Sequence, residues 1–155
     1  MIHYVFDLDD TLILHKNNIH YNWIYKDNEL IHYLHKCKGP KYIYTNGTSG
    51  HALNILEKME LIEVFDKVYS RDTIDYMKPD YKSVYDVHND ISNRDNNLKV
   101  IFFFDDLLEN LKMASTMGWY TIWINSNYLI NSDYNYVNLA FPNIKDALKF
   151  LEKKI

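Results

Sequence analysis

The sequence has a single cysteine, Cys37, among 155 residues. It can form no intrachain disulfide, and no zinc site can be built from thiolates. A lone thiol suits a reducing interior. No apolar run approaches the length of a membrane span. The opening MIHYVFDLDD reaches acid at once, with no basic region followed by a long apolar stretch, so it does not read as a signal peptide. The expectation is a soluble, cytoplasmic protein with no membrane partner. A basic surplus is lacking too: 17 Lys and Arg stand against 21 Asp and Glu, a formal net charge of −4. That argues against a dedicated nucleic-acid binder, which carries a basic face. An enzyme acting on a nucleic-acid end stays open, because a bound metal can supply positive charge. Repeats and linkers are absent, and the length suits one domain, residues 1–155.

What is present is enough apolar material for a sizeable core, 47% hydrophobic and 15% aromatic residues, arranged as short apolar strands alternating with helical patterns. IHYVFD (2–7), KYIYTN (41–46), DKVYS (66–70), KVIFFFDD (99–106), WYTIWIN (119–125) and YVNLAF (136–141) read as strands. KVIFFFDD is a continuous apolar run, as expected of a strand buried on both faces. Between the strands, Ala52, Ile55, Leu56 and Met59 recur at helical spacing, with Thr48 or Ser49 as the cap. Tyr81, Val84, Tyr85 and His88 are expected to share one helix face. LLENLKMASTMG is a helix closed by Gly118, and NIKDALKFLEKKI is a last helix capped by Asn143. Segment 125–136, polar and rich in Asn and Tyr, reads as a surface loop. The alternation predicts an α/β fold: a three-layer, Rossmann-like parallel sheet with helices on both faces. Such sheets hold ligands outside the carboxyl ends of their strands.

The chemistry-bearing residues fall at those ends. VFDLDDTL places Asp7, Asp9 and Asp10 after the first strand, Thr45 and Asn46 follow the second, and Asp105 and Asp106 close the fourth. Lys78 lies just ahead of Pro79 at a helix start. Packed carboxylates are costly unless a cation joins them, and oxygen ligands without His or Cys suit Mg²⁺. Thr45, the amides around Asn46 and Gly47, and Lys78 suit an anion. A magnesium ion beside an anion points to a phosphoryl group.

These residues resemble the haloacid dehalogenase-like (HAD) phosphohydrolases. DLDDT matches their D-x-D-x-T signature, Thr45 in IYTNG the second motif, Lys78 in MKPD the third, and FFFDD with Asn110 downstream the fourth. The order is that of the family, and the match spans roughly residues 1 to 125. The wording is most similar to the pyrimidine 5′-nucleotidase-like branch. The resemblance implies a Mg²⁺-dependent phosphatase in which Asp7 is the nucleophile that forms a phosphoaspartate. Asp9 would be the acid and base, its main-chain carbonyl also binding metal. Asp105 would be a metal ligand, and Asp106 a second or a water-mediated one. Thr45, Asn46 and Lys78 would hold phosphate. Asp10 would point away or cap a turn.

The chain departs from the branch in one respect. Positions 12 to 44 leave no room for a full helical cap between the first and second motifs, nor is there room between Lys78 and Asp105. The expectation is a member with no or minimal cap. A phosphorylated small molecule is then the leading substrate, and an open site also admits a macromolecular phosphate, on a protein or a nucleic-acid end. Dimerisation would be another way to cover the opening. Tyr21, Trp23 and Tyr25 read as a packed hairpin edge or as a flap that stacks on a base. His15 and His20 read as loop residues, His32 and His35 as surface residues, and Asp72, Asp75 and Asp80 as makers of turns and helix starts. Two other classes compete: a phosphoacceptor module of the receiver type, whose motif order differs, and a non-catalytic binding protein, for which a lost Asp7 or Asp9 would speak.

Overall fold

The apolar runs assemble into one six-stranded sheet, parallel throughout. In the computed structural model, which describes residues 1–14, 24 and 26–154, the strands are β1 (Ile2–Phe6), β2 (Lys41–Tyr44), β3 (Lys67–Tyr69), β4 (Val100–Asp105), β5 (Tyr120–Ile124) and β6 (Leu139–Phe141). Their spatial order is β3-β2-β1-β4-β5-β6. The chain builds outward from β1 in one direction, returns, and builds outward from β4 in the other. β1 and β4 pair in register from Ile2 against Val100 to Phe6 against Phe104. The crevice between them is the switch point where ligands sit in such sheets. The sequence reading of an α/β sheet with a Rossmann-like course is correct.

Among the described residues, five α-helices cover the sheet: α1 (Asn28–Lys36), α2 (Ser49–Lys58), α3 (Tyr81–Arg94), α4 (Leu108–Ser115) and α5 (Ile144–Lys154). Side-chain alternation along the strands divides the core. Tyr4, Phe6, Ile43 and Phe104 pack with Leu30 and Leu34 of α1, Ile55 and Leu56 of α2, and Leu148 of α5. Val5, Tyr42, Tyr44 and Phe103 pack on the other face with Val84, Val87 and Ile91 of α3 and Leu111 of α4. Phe6 and Phe104 stack across the central pair, centroids 4.5 Å apart. Each such apolar side chain contributes roughly 1.5–3 kcal/mol on burial.

The helix ends follow local rules. Thr48 accepts from the His51 amide at the start of α2, Asp80 from Lys82 at the start of α3, and Asn143 from Asp146 in the first turn of α5. Gly118 ends the α4 segment at φ +75°, a conformation open to glycine. One helix face differs from expectation. On α3 the buried stripe is Ser83, Val84, Val87 and Ile91, and Tyr81 and Tyr85 are exposed. Val87 and Ile91 continue from Val84 at the i+3 and i+4 intervals, and this aliphatic stripe prevails over the tyrosines. Segment 125–136 holds a 3₁₀ stretch over Tyr128–Asp133, with Leu129 and Ile130 exposed. His32 and His35 lie exposed on α1. Tyr21, Trp23, Tyr25, His15 and His20 lie outside the described residues. Among the described residues, no helix is long and apolar enough to cross a membrane.

Candidate active site

Three adjacent strands deliver the site. Asp7 follows β1, with its amide bonded to the Phe104 carbonyl of β4 at 2.9 Å. Thr45 follows β2, with its amide bonded to the Tyr69 carbonyl of β3 at 2.9 Å. Asp105 is the last residue of β4. The strand order β2-β1-β4 therefore sets Thr45, Asp7 and Asp105 side by side at the carboxyl edge.

Lys78 reaches this edge from the loop ahead of α3. Its ammonium donates to Asp7 Oδ1 at 3.0 Å, to Asp105 Oδ2 at 2.8 Å and to the Tyr44 carbonyl at 2.8 Å. The lysine side chain is 1% exposed. Asn46 holds the lysine backbone from both sides. Its Nδ2 donates to the Lys78 carbonyl at 2.9 Å, and its Oδ1 accepts from the Lys78 amide at 3.0 Å. The side chain expected to hold phosphate thus clasps the backbone of Lys78. The Thr45 hydroxyl accepts from the Gly47 amide at 3.1 Å, which shapes the turn behind it.

The carboxylates crowd together. Thr11 donates to Asp7 Oδ2 at 3.0 Å and lies 3.3 Å from Asp106 Oδ1, so it bridges the two acids. Asp105 also accepts from the Leu107 amide at 2.9 Å and from Asn110 Nδ2 at 3.1 Å. Trp123 and Asn125 hold the Asp106 carbonyl. Burial pushes the Asp7 carboxyl up to about 6; Lys78 opposes this and Asp106 adds to it. Burial, reinforced by the charge on Asp7, pushes Asp105 up to about 6, again against Lys78. Asp106 is raised for the same first reason, burial. For Lys78, burial alone would lower the value, but Asp105 and Asp7 outweigh it and hold it above the ordinary lysine range.

Three carboxylates against one ammonium leave an excess of negative charge in a nearly dry place. Ligand oxygens of Asp7, Asp105 and Asp106 lie within 4.8 Å of one another. Asn110 Oδ1 is buried beside them without a hydrogen-bond partner among the described residues. A hard divalent cation fits this donor set, which is all oxygen and short of positive charge. Above it lies a pocket of about 270 Å³, whose wall includes Asp7, Asp9, Thr45, Asn46, Lys78 and Asp106. Asp105 lies beneath that wall, fully buried. The structure thus gathers all seven predicted site residues at one place. A larger, more apolar cavity of about 390 Å³ lies at the opposite end of the sheet, beside Met1 and Gly39, far from this chemistry.

Two observations qualify the sequence reading of the acids. Asp10 adopts φ +61°, its amide bonds to the Ile13 carbonyl, and it forms the turn at the pocket rim. Asp9 meets a residue the sequence reading passed over: His51 Nε2 lies 3.1 and 3.2 Å from its two carboxylate oxygens. Only the place of His51 in the first turn of a capped helix, six positions after Thr45, hinted at this.

The sequence profile of the haloacid dehalogenase-like hydrolases matches residues 13–124, well over half of the chain. That match begins just past Asp7–Thr11. No curated protein matches the chain in sequence. Among solved structures, the chain is similar to a HAD-superfamily hydrolase from Ehrlichia chaffeensis, with a TM-score of 0.64 and 16% identity over 97% of this chain and 95% of that one. It is similar to the L-2-haloacid dehalogenase of Xanthobacter autotrophicus, with a TM-score of 0.63 and 13% identity over 83% of this chain. It is also similar to a HAD phosphatase from Thermococcus onnurineus, with a TM-score of 0.63 and 21% identity over 81% of this chain. It spans 61% of that dehalogenase and 57% of that phosphatase. These likenesses establish a shared fold.

Proposed function

The chain belongs to the haloacid dehalogenase-like hydrolases, and from that premise we propose that it is a magnesium-dependent phosphomonoesterase acting through an aspartyl-phosphate on Asp7. The observation that carries this reading is the buried Lys78 held between Asp7 and Asp105, with Asp106 and Thr11 completing the cluster. Asp7, Asp105 and Asp106 would hold the metal, with the main-chain carbonyl of Asp9 as the family pattern implies. Magnesium, when bound, would neutralise phosphate charge as a Lewis acid.

The protein's own groups do the rest. Lys78 screens the approaching phosphate so that an anionic nucleophile can reach it. An Asp7 oxygen bonds to phosphorus as the bond from phosphorus to the ester oxygen breaks. The departing oxygen keeps the electron pair and takes a proton from Asp9. Water then attacks phosphorus and gives its proton to Asp9, the bond from Asp7 to phosphorus breaks, and inorganic phosphate leaves. The two acids divide the work because their surroundings differ: Asp7 is buried against Lys78, and Asp9 is one-third exposed at the wall.

Dehalogenation, the reaction named for one structural relative, fits these residues less well. Halide leaves without a proton, so Asp9 would have no task in the first step. A haloacid carboxylate would also face three acids. We read residues 1–155 as one domain with at most a minimal cap. Positions 7 to 40, between β1 and β2, already contain the nine residues of α1. An open mouth favours, as a second reading, the same chemistry on a macromolecular phosphate.

The test is phosphate release from a panel of aryl phosphates, nucleoside monophosphates, sugar phosphates, a phosphopeptide and phosphorylated oligonucleotides. Each is run with magnesium and with chelator, for the wild type and Asp7→Asn. Release that needs magnesium and falls by roughly a thousandfold or more in Asp7→Asn supports the reading. A folded protein that binds magnesium but releases phosphate from nothing in the panel overturns it.

A further inference from the structure

We propose that His51 is a positioning residue that fixes the Asp9 carboxylate at the pocket wall for proton transfer to and from the ester oxygen. The inference rests on the phosphomonoesterase reading and adds a group that the sequence motifs do not contain.

Asp9 gains from such a fixture. It sits on the turn after β1, where Asp10 has a positive φ and the Thr11, Leu12 and Ile13 amides all converge on the Leu8 carbonyl. Asp9 is one-third exposed. An acid that must present a proton to one point gains from side-chain contacts that set its direction.

His51 supplies the second anchor, 42 residues away in sequence. Its own footing is firm. The His51 amide caps onto Thr48 Oγ1 at 3.2 Å. Ser49, two residues before it, donates to Asp72 through its amide at 2.8 Å and through its hydroxyl at 2.6 Å. Asp72 accepts from Ser70 as well, at 2.8 Å, so the start of α2 is tied to the loop after β3. The His51 ring lies close against Gly47, where a Cβ would stand 3.0 Å from its Cδ2. Thus one short segment carries Thr45 and Asn46 on one side and the grip on Asp9 on the other. A carboxylate can only accept, so the Nε2–H of His51 donates, lying 3.1 and 3.2 Å from the two oxygens.

The experiment compares kcat/KM for an alkyl phosphate with that for p-nitrophenyl phosphate. The alkoxide leaves poorly and depends on the proton from Asp9; p-nitrophenolate leaves without one. In His51→Ala the alkyl-to-aryl ratio of kcat/KM is expected to fall by about tenfold or more, a part of what a general acid contributes. In His51→Gln, whose amide nitrogen stands where Nε2 stood, the ratio is expected to stay within roughly threefold of wild type. Thermal unfolding accompanies each variant. Should His51→Ala unfold early, His51→Leu, which keeps bulk without a donor, is read in its place. An equal loss on both esters, an unchanged ratio in the donor-less variant, or a Gln variant as impaired as Ala overturns the proposal and leaves the phosphatase reading standing. A wild type that hydrolyses neither ester, nor any member of the panel, overturns both.

Discussion

Both ends of the parallel sheet bury a titratable side chain among polar partners, with opposite results. At the amino end His3 is fully buried. Its Nε2 donates to Asp95 at 2.7 Å, its Nδ1 shares a hydrogen bond of 3.0 Å with the Tyr42 hydroxyl, and its ring stacks on Tyr42. Every polar atom of that ring is matched. At the carboxyl end Lys78 is also buried, but Asp7 and Asp105, both held near 6, flank it, Asp106 adds a third carboxylate to the cluster, and Asn110 Oδ1 has no partner among the described residues. The lesson is one of accounting for charge. Polar burial that satisfies itself serves the fold; polar burial with surplus charge is arranged for something that arrives.

The comparison is broken most severely at Lys78. Lys78→Met leaves Asp7 and Asp105 buried without their cation, and is expected to cost about 3–5 kcal/mol in urea denaturation at neutral pH. The loss should shrink as pH falls below about 6, where both carboxyls take up protons and need the ammonium less. A variant as stable as wild type at neutral pH would show that the surplus charge is relieved in another way.

Magnesium sharpens the contrast from the other side. At about a hundred times its dissociation constant it should stabilise the fold by roughly 2.7 kcal/mol, seen as a rise in the unfolding midpoint. The sign in pH follows from the raised carboxyls. Each binds its proton more tightly in the folded chain than in the unfolded one, so stability without metal falls as pH rises through the range up to about 6. The cation needs the ionised forms. Its stabilisation is therefore full above about 6 and is lost as pH falls through that value. A midpoint shift that ignores pH would place the metal elsewhere.

The smallest effect belongs to the amino end. His3→Phe keeps the stack on Tyr42 and loses both hydrogen bonds, and is expected to cost about 1–2 kcal/mol. Phosphate release, measured at a temperature where the variant is folded, should match wild type. A fall in kcat would mean that the two ends of the sheet are coupled.

Much of this was readable along the chain. The six strands lie where short apolar runs were found, because burial on both faces of a parallel sheet demands continuous apolar residues. Caps at Thr48 and Asn143 and the stop at Gly118 were readable because they are settled within one turn of chain. The stripe of α3 was misread, since Tyr81 and Tyr85 are as apolar in pattern as Val87 and Ile91, and only the sheet opposite selects between them. The acids and Thr45 were legible as types of residue at strand ends, and Lys78 as one at a helix start. Their arrangement was not.

By itself the sequence determined that carboxylates and a hydroxyl would stand at the carboxyl ends of parallel strands, and a lysine at a helix start. Periodicity and short motifs act over a few residues and survive in a linear reading. Tertiary structure alone decided that Lys78 lies between Asp7 and Asp105, that Asn46 clasps Lys78, and that His51 holds Asp9. These partners are separated by 71, 32 and 42 positions respectively for Asp7, Asn46 and Asp9. Such contacts exist only once the order β2-β1-β4 has brought distant strand ends to neighbouring places, because a hydrogen bond depends on distance in space and not on distance along the chain.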